Sequence, residues 1–191
     1  MATIRIRQGN TNTFLVNGKL LVDTGYAGTM HAFYKALKDS NIRLDCITHL
    51  MATHFHPDHC GLIGELQQRG SVLILLKTQR ESTNFSDYIF KRDGIFYTPI
   101  DESRAEVICI ENSREFLSTL NIEGEIISTP SHSPDSVSLI LDDGDCIVGD
   151  LPPIEYLEYY DKAAALKADW DHIMRLEPKR ILYAHMPEKR I

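Results

Sequence analysis

Residues 52–61, ATHFHPDHCG, place three histidines and one aspartate directly after an apolar segment, and this cluster constrains the fold more than any other feature of the sequence. The residues before it, 46–53 with the sequence CITHLMAT, have the composition of a buried strand. Polar groups in such a place are costly to bury unless they are paired. The cluster is therefore either a solvated loop or one half of a metal site.

Short apolar runs and helical patterns alternate along the rest of the chain. Hairpins are predicted across Asn17-Gly18 and Asp143-Gly144, because type I′ turns need residues that tolerate positive φ. Residues 77–105 are polar and aromatic, and we expect a helix and a loop there that cover one side of the site. Further strands are predicted at 1–7, 46–53, 71–76, 106–110, 115–120, 124–129 and 180–185. Helices are predicted at 29–39, from Leu62 to Gly70, and at 161–176.

The length and composition predict a single globular domain over residues 1–191. Hydrophobic residues make up 43% of the chain and charged residues 25%, which is ordinary for a soluble protein. The formal net charge is −7 and the lysines and arginines are scattered, which argues against nucleic-acid binding. No export signal is visible, and the longest apolar run, at 72–76, is far too short to span a bilayer. We therefore expect a cytoplasmic protein that does not bind membranes.

The four cysteines, at positions 46, 60, 109 and 146, have no CxxC spacing. We expect them to be reduced and mostly packed in the core, with two disulfides as the alternative. Cys60 follows His59 directly, so a thiol near a site is a second interpretation, although its apolar setting favours packing.

The histidine cluster contains more ligand-type side chains than one metal ion can use. A loop that leaves a strand can direct His54 and His56 to the same side, whereas Asp58 and His59 lie beyond a turn that Pro57 helps to fix. Four ligands so close in sequence can hardly all reach one ion with good geometry, because such sites are closed sets of three or four ligands. The cluster therefore favours two ions, with further ligands from elsewhere.

Three candidates for those further ligands lie at predicted junctions between strands and loops. They are His132 in TPSHSPDS, Asp150 in IVGD and His185 in LYAHMP. Functional side chains concentrate at such junctions, where a rigid scaffold positions a loop. The other histidines, at positions 31, 49 and 172, are interpreted as ordinary surface or core residues.

These motifs, in this order, resemble the metallo-β-lactamase superfamily over nearly the whole chain. The resemblance rests on LVDTG at 21–25, THFHPDHCG at 53–61, TPSHSPDS at 129–136, GD at 149–150 and AH at 184–185. It implies an α+β fold, the αβ/βα four-layer sandwich. In that fold two mixed β-sheets pack face to face, helices cover their outer faces, and the metal site lies at one edge. The type that the chain resembles is a small glyoxalase II-like or lactonase-like member.

The resemblance also implies a ligand set. One ion is held by His54, His56 and His132, a second by Asp58, His59 and His185, and Asp150 bridges the two. Asp23 would steady the histidine loop from behind its ligands, a role that strongly influences metal affinity. We expect the ions to be zinc, with manganese or iron as alternatives.

Two positions depart from the family pattern, and one substitution bears on the substrate. Ser131 stands where the family usually has glycine, and Asp135 stands where the family often has glycine. These changes would alter the loop conformation or the charge of the pocket without removing a ligand. The best-known β-lactamase subclass has cysteine where this chain has Asp150, which argues against antibiotic hydrolysis.

The predicted chemistry is hydrolysis. Two divalent ions can share a hydroxide that attacks an ester, thioester, lactone or phosphodiester. Asp58 and Asp150 are the predicted catalytic residues, with Asp58 orienting the nucleophile while it binds metal. The site would carry a local positive charge and favour small anionic substrates. The alternatives are a mononuclear iron enzyme of the persulfide-dioxygenase type and a metal-binding protein without turnover.

Aromatic residues near the predicted site allow two interpretations. Tyr156, Tyr159 and Tyr160 follow Asp150, and one of them could donate to a developing oxyanion or simply pack on the core. The aromatic residues of the 77–105 segment could line an apolar pocket or form a homodimer contact.

Overall fold

The computed structural model describes residues 2–191 and divides the chain into two compact units, with the first ending at Cys109 and the second running from Ile110 to Ile191. Each unit contains one mixed β-sheet and helices, so the predicted α+β fold with two mixed sheets is confirmed. The single domain over 1–191 stays a prediction. Within residues 2–191 no helix combines the length and the apolar character that a bilayer crossing needs.

The first unit contains a six-stranded sheet with its strands in sequence order. Its strands are β1 (Thr3–Gln8), β2 (Thr11–Val16), β3 (Leu20–Val22), β4 (His49–Met51), β5 (Val72–Leu76) and β6 (Ala105–Ile108). Its helices are α1 (Met30–Asp39), α2 (Pro57–Cys60), α3 (Ile63–Gln68) and α4 (Phe85–Arg92). Strands β1 to β3 pair antiparallel, and β3 to β6 pair parallel.

The antiparallel part of this sheet forms as the sequence predicts. β1 lies at the sheet edge, and β2 and β3 form a hairpin. Asn17 and Gly18 have φ of 50° and 67°, the positive values that a type I′ turn requires. The amphipathic pattern of residues 29–39 also becomes helix α1, which buries Phe33 and Leu37 in the apolar core of this unit.

The parallel part of the sheet positions the histidine cluster. Val22 at the end of β3 pairs with Met51 at the end of β4, so the chain leaves both strands at the same edge. Asp23 follows the first strand, and the histidine loop follows the second. The carboxyl ends of neighbouring parallel strands are where open sheets commonly place their sites.

The second unit contains a five-stranded sheet in the order β11-β10-β9-β8-β7. Its strands are β7 (Gly124–Ser128), β8 (Val137–Leu141), β9 (Asp145–Gly149), β10 (Arg180–Tyr183) and β11 (Lys189–Arg190), and its helices are α5 (Ser113–Thr119) and α6 (Ala163–Arg175). The predicted hairpin across Asp143-Gly144 joins β8 to β9. β9 and β10 are parallel and end side by side, with Gly149 opposite Tyr183, so Asp150 and His185 leave the sheet at the same edge.

The prediction of a strand at 115–120 is wrong, because these residues belong to helix α5 and the turn that follows it. Ser113 and Leu117, four residues apart, are the buried positions of this helix, and Phe116 and Leu120, also four apart, are partly buried. This four-residue spacing is typical of a helix. In a segment as short as 115–120, the same apolar residues can be mistaken for those of a strand. The predicted strands at 46–53 and 180–185 are shorter than expected, since β4 begins at His49 and β10 ends at Tyr183.

Helix α1 supplies a test of this packing. Replacing Phe33, which is fully buried, with alanine should lower the free energy of unfolding by about 3–5 kcal/mol, because a large cavity remains in the core. The neighbouring Tyr34 is 38% exposed and contacts the Arg69 guanidinium across its ring face. Tyr34→Ala is the matched control and should cost less than about 1 kcal/mol. Urea denaturation of both variants measures the difference, and equal losses would contradict the assigned faces of the helix.

Candidate metal centre

The ligand-type side chains of the first unit lie together around the start of α2. His54 and His59 are buried, and their ring centroids are 4.0 Å apart. His56 lies beside them, with its ring centroid 4.4 Å from that of His54. Asp58 Oδ1 is 3.8 Å from His59 Nε2. Pro57, the first residue of α2, starts the turn that places Asp58 and His59 on the helix while His54 and His56 stay in the loop.

Asp23 holds this group together from the neighbouring strand end. Its carboxylate is fully buried and accepts hydrogen bonds from the Thr53 backbone N–H at 2.7 Å and the Thr53 hydroxyl at 2.9 Å. It also lies 2.9 Å from His59 Nδ1. A carboxylate can only accept in such a pair, so Nδ1 carries the proton and the lone pair of His59 is on Nε2. Nε2 is then the atom that can bind a metal, which is the arrangement of carboxylate–histidine–metal triads.

Asp23 also has a backbone conformation that is unusual for its residue type. Its φ is +60°, in the left-handed region that non-glycine residues seldom occupy. The backbone N–H of Asp23 donates to the Met51 carbonyl at 2.9 Å, which links the ends of β3 and β4. Strained residues of this kind persist where surrounding contacts fix them, and they cluster at functional sites.

The segment after Asp23 is joined to helix α2 by backbone contacts. The Thr24 N–H donates to the His59 carbonyl at 2.7 Å, and the Gly61 N–H donates to the Gly25 carbonyl at 2.9 Å. At Gly61 the two segments are so close that a Cβ atom would lie 2.1 Å from the Ala27 nitrogen. The motifs LVDTG and THFHPDHCG therefore form one structural unit, although about 30 residues separate them.

Cys60 has a packing role, as its apolar setting indicated. Burial raises the pKa of its thiol to about 12, although a hydrogen bond to Ser86 opposes this shift, so the thiol stays neutral. Its Sγ lies 3.5 Å from the Phe55 carbonyl. All four cysteines are free and lie within residues 2–191. Cys146 is also a core residue, whereas Cys46 is exposed, contrary to the expectation that most cysteines pack in the core.

The 77–105 segment contacts the histidine loop within the first unit. Its helix α4 places the Phe85 ring with its centroid 5.4 Å from that of His56. Gln79 Nε2 donates to the Ala52 carbonyl at 3.1 Å, just before the first histidine. Phe85 is half exposed, so its ring can cover the loop and still face solvent.

In the second unit, Asp150 lies between two histidines. Its Oδ1 is 3.3 Å from His185 Nε2, and its Oδ2 is 3.9 Å from His132 Nε2. One carboxylate oxygen thus faces each imidazole, and the Asp150 side chain remains 20% exposed. The Ala184 N–H donates to the Gly149 carbonyl at 3.0 Å, which fixes the two strand ends on which Asp150 and His185 are placed.

The His132 loop is held by side chains from the α6 region. The Ser131 N–H donates to the Asp169 carboxylate at 2.9 Å, and the Ser131 carbonyl accepts from the Tyr160 hydroxyl at 3.1 Å and from Lys162 Nζ at 3.4 Å. Asp169 is buried, among the apolar residues of α6 that face the core. Asp169 is not among the residues predicted from the sequence, although an acidic residue on the buried face of a helix was the available signal.

The two departures from the family pattern lie inside this loop. Asp135 is buried and accepts a hydrogen bond from the Ser133 hydroxyl at 2.8 Å, within a turn closed by the Ser136 N–H and the Ser133 carbonyl. Ser131 is also buried. Both residues are thus packed within the loop, and their effect on its conformation or on the charge of the pocket stays a prediction.

The three tyrosines after Asp150 have different environments. Tyr156 is half exposed and lines a cavity of about 220 Å³ that also borders His132, Asp150 and His185. Tyr159 is 84% exposed. Tyr160 donates to the Ser131 carbonyl, so its hydroxyl holds the loop rather than reaching toward a substrate.

Of the seven predicted ligands, four belong to the first unit and three to the second, and each has a side chain of the kind that can hold a metal ion. The chemistry of the donors fits such an ion, because five are imidazoles and two are carboxylates, the ligands that zinc, iron and manganese accept. Within the first unit, Asp23 also sets the His59 tautomer that metal binding requires.

Comparison with known proteins identifies the family. The model of the metallo-β-lactamase superfamily matches residues 6–185. The chain belongs to the metallo-β-lactamase superfamily. A curated superfamily protein, the metallo-β-lactamase fold-containing protein ST1585 of Sulfurisphaera tokodaii, is 25% identical over 173 residues, covering 74% of this chain. The match spans 61% of ST1585, less than two thirds of its length.

Solved structures of superfamily members show the same fold. The family protein TTHA1429 of Thermus thermophilus has a TM-score of 0.72 at 16% identity, covering 99% of this chain and 74% of its own. BLEG-1, described as a B3 metallo-β-lactamase, has a TM-score of 0.72 at 19% identity and coverages of 99% and 94%. TTHA1623 in a di-iron-bound form has a TM-score of 0.72 at 18% identity, with coverages of 100% and 94%.

Asp23 gives a direct test of metal binding in the first unit. Asp23→Asn replaces a carboxylate, which only accepts hydrogen bonds, by an amide. The NH₂ group of that amide cannot accept a hydrogen bond from the donors that surround this position. We expect the affinity for Zn²⁺ to fall about 10- to 100-fold, the usual cost of losing a partner behind a ligand. Asp39→Asn, at the exposed end of α1, is the control and should leave the affinity unchanged. Competition against a chromogenic chelator measures both, and equal affinities would contradict the role of Asp23.

Asp169 gives a corresponding test in the second unit. Asp169→Ala leaves the buried Ser131 N–H without its acceptor, which should lower stability by about 1–3 kcal/mol and displace His132. Asp171→Ala, which removes only an exposed carboxylate paired with Lys167, is the control. The visible absorption spectrum of the cobalt(II)-loaded protein should change in the first variant alone. An unchanged spectrum together with lower stability would show that Asp169 does not position His132.

Proposed function

We propose that this chain is a metal-dependent hydrolase with a dinuclear centre. The observation that carries the proposal is the placement of Asp150, whose two carboxylate oxygens face His185 and His132. A single carboxylate between two imidazoles is the arrangement expected of a ligand shared by two ions. Membership of the metallo-β-lactamase superfamily supports it.

The proposed ligands divide as the resemblance implied. His54, His56 and His132 would hold one ion, Asp58, His59 and His185 would hold the other, and Asp150 would be shared. When bound, the ions supply a hydroxide nucleophile at neutral pH and polarise the oxygen of the bond under attack. Zinc is the proposed metal, with manganese or iron as alternatives. The di-iron form of TTHA1623, a protein with the same fold, is the reason to keep iron in the test.

The side chains of the chain itself orient the reaction. Asp23 fixes the His59 ring and its tautomer. Asp58 is 36% exposed, so its carboxylate can bind a metal with one oxygen and accept a hydrogen bond from a water with the other. In this role Asp58 orients the attacking water and can accept its proton. Asp169 and Tyr160 hold the peptide groups of Ser131, which fixes the position of His132.

The proposed substrate is a small anionic ester, thioester, lactone or phosphodiester. Five neutral imidazoles and two carboxylates around two divalent ions leave a positive local charge, which favours an anion even on a chain of net charge −7. Three expectations from the sequence stay predictions. They are a cytoplasmic location, the absence of nucleic-acid and membrane partners, and a homodimer as the candidate oligomeric state.

The experiment that tests the proposal measures metal content beside turnover. Protein purified without added metal is analysed for zinc, manganese and iron, and then assayed against aryl esters, thioesters, lactones, phosphodiesters and a β-lactam. Two ions per chain together with hydrolysis support the proposal. One iron per chain with oxygen consumption would replace it with the dioxygenase alternative. Bound metal without any turnover would favour a metal-binding protein.

A histidine variant separates the two ions. His59→Ala should lose one of two bound ions per chain and lower the hydrolytic rate about 100-fold or more, because a charge that stabilises the transition state is removed. His49→Ala is the matched control: this half-buried histidine of β4 contacts the Thr48 hydroxyl and is not a proposed ligand. Metal analysis and steady-state rates are measured for both. Full turnover by the His59 variant would rule out the dinuclear mechanism.

A further inference from the structure

The cavity beside Asp150 has two chemically distinct sides. It has a volume of about 220 Å³ and borders the three proposed ligands of the second unit, His132, Asp150 and His185. Its remaining side chains are apolar or aromatic: Leu151, Pro152, Pro153, Tyr156, Tyr183 and Met186. Within the part of the chain that the structure describes, Asp150 is its only carboxylate and no lysine or arginine lines it.

The apolar wall is fixed by the fold. Leu151 is buried and belongs to the core of the second unit together with Trp170. Trp170 Nε1 donates to the Pro152 carbonyl at 2.8 Å, and the Leu151 N–H donates to the Val148 carbonyl at 3.1 Å. Two consecutive prolines restrict the backbone further. A wall held in this way keeps its shape before a ligand arrives, which lowers the cost of binding.

A second cavity has a more polar lining. It has a volume of about 420 Å³, lies beside Asp58 in the first unit, and includes the amide and hydroxyl side chains of Gln8, Asn10 and Thr29. The volume of the cavity beside Asp150 indicates the size of the group that it can take up. A dry cavity of about 150 Å³ accepts benzene, so 220 Å³ suits an apolar group of about six to eight carbon atoms.

We propose that this cavity binds an apolar group of the substrate, an alkyl or aryl group of about six to eight carbons, next to the bond that is hydrolysed. The proposal rests on the proposed function, since it places this group beside the proposed ligands His132, Asp150 and His185. It narrows the substrate to an ester, thioester or lactone with an apolar acyl part, because apart from the proposed ligands the cavity wall is mainly apolar and its polar side-chain groups are the hydroxyls of Tyr156 and Tyr183.

Product analogues test the subsite without turnover. Acetate, butyrate, hexanoate and octanoate share a carboxylate and differ only in chain length, and their Kd values for the zinc-loaded protein can be measured by isothermal titration calorimetry. Each buried methylene should tighten binding about fourfold until the chain fills the cavity, and the series should then level off. A flat series, including one with no detectable binding, overturns the proposal.

Two tyrosine variants show whether the chain occupies this cavity. Tyr156 lines it and is half exposed, so Tyr156→Ala should preserve folding. We expect this variant to bind hexanoate about tenfold more weakly and acetate as before. Tyr159→Ala, at an exposed position that does not line the cavity, is the matched control and should change neither. An unchanged chain-length dependence in the Tyr156 variant overturns the proposal.

The test of the apolar subsite and the test of the proposed function can fail independently of each other. A chain that binds no metal disproves the proposed function whatever the carboxylates do. A chain that binds two ions and hydrolyses esters, but treats acetyl and hexanoyl aryl esters alike, keeps the function and overturns the apolar subsite. If both proposals hold, kcat/KM for the hexanoyl ester should exceed that for the acetyl ester by tenfold or more in the native chain, and by less in Tyr156→Ala.

Discussion

The buried carboxylate of Asp23 is the interaction on which the candidate metal centre of the first unit depends. It accepts from the Thr53 backbone and hydroxyl and pairs with His59 Nδ1, so it fixes the start of the histidine loop and the ring at its far end. A buried carboxylate without partners would be very costly, and these donors remove that cost. The same contacts select the His59 tautomer, so the stability of the loop and its capacity to bind metal have one physical origin.

Parallel strand pairing explains why the ligand-bearing segments lie where they do. In the first unit the ends of β3 and β4 are in register, which brings Asp23 to the histidine loop. In the second unit the ends of β9 and β10 are in register, which places Asp150 beside His185. In both units the functional side chains lie just beyond the ends of neighbouring parallel strands, where the sheet gives way to loops.

The sequence predicted most elements of the fold because their signals are local. The Asn17-Gly18 turn and the amphipathic helix α1 can be recognised from a few neighbouring residues. The prediction of a strand at 115–120 was wrong because a segment of about two helical turns has too few residues to distinguish the helical period from the strand period. Thr53 and Asp169 were missed as supporting residues, since their roles depend on contacts with residues 30 and 38 positions away.

The proposed ligands of the first unit are close together in the sequence, whereas those of the second unit are far apart. This difference determines how many of them can be recognised from the sequence. In the first unit the four proposed ligands fall within six consecutive positions, so the motif itself reveals them. In the second unit each ligand follows a different strand, and only strand register and the Asp169 contact bring them into position. The apolar wall of the cavity after Asp150 is likewise a feature that only the folded structure reveals. Leucine and proline there look like an ordinary loop in the sequence, and they become a candidate selectivity element only when the cavity is known.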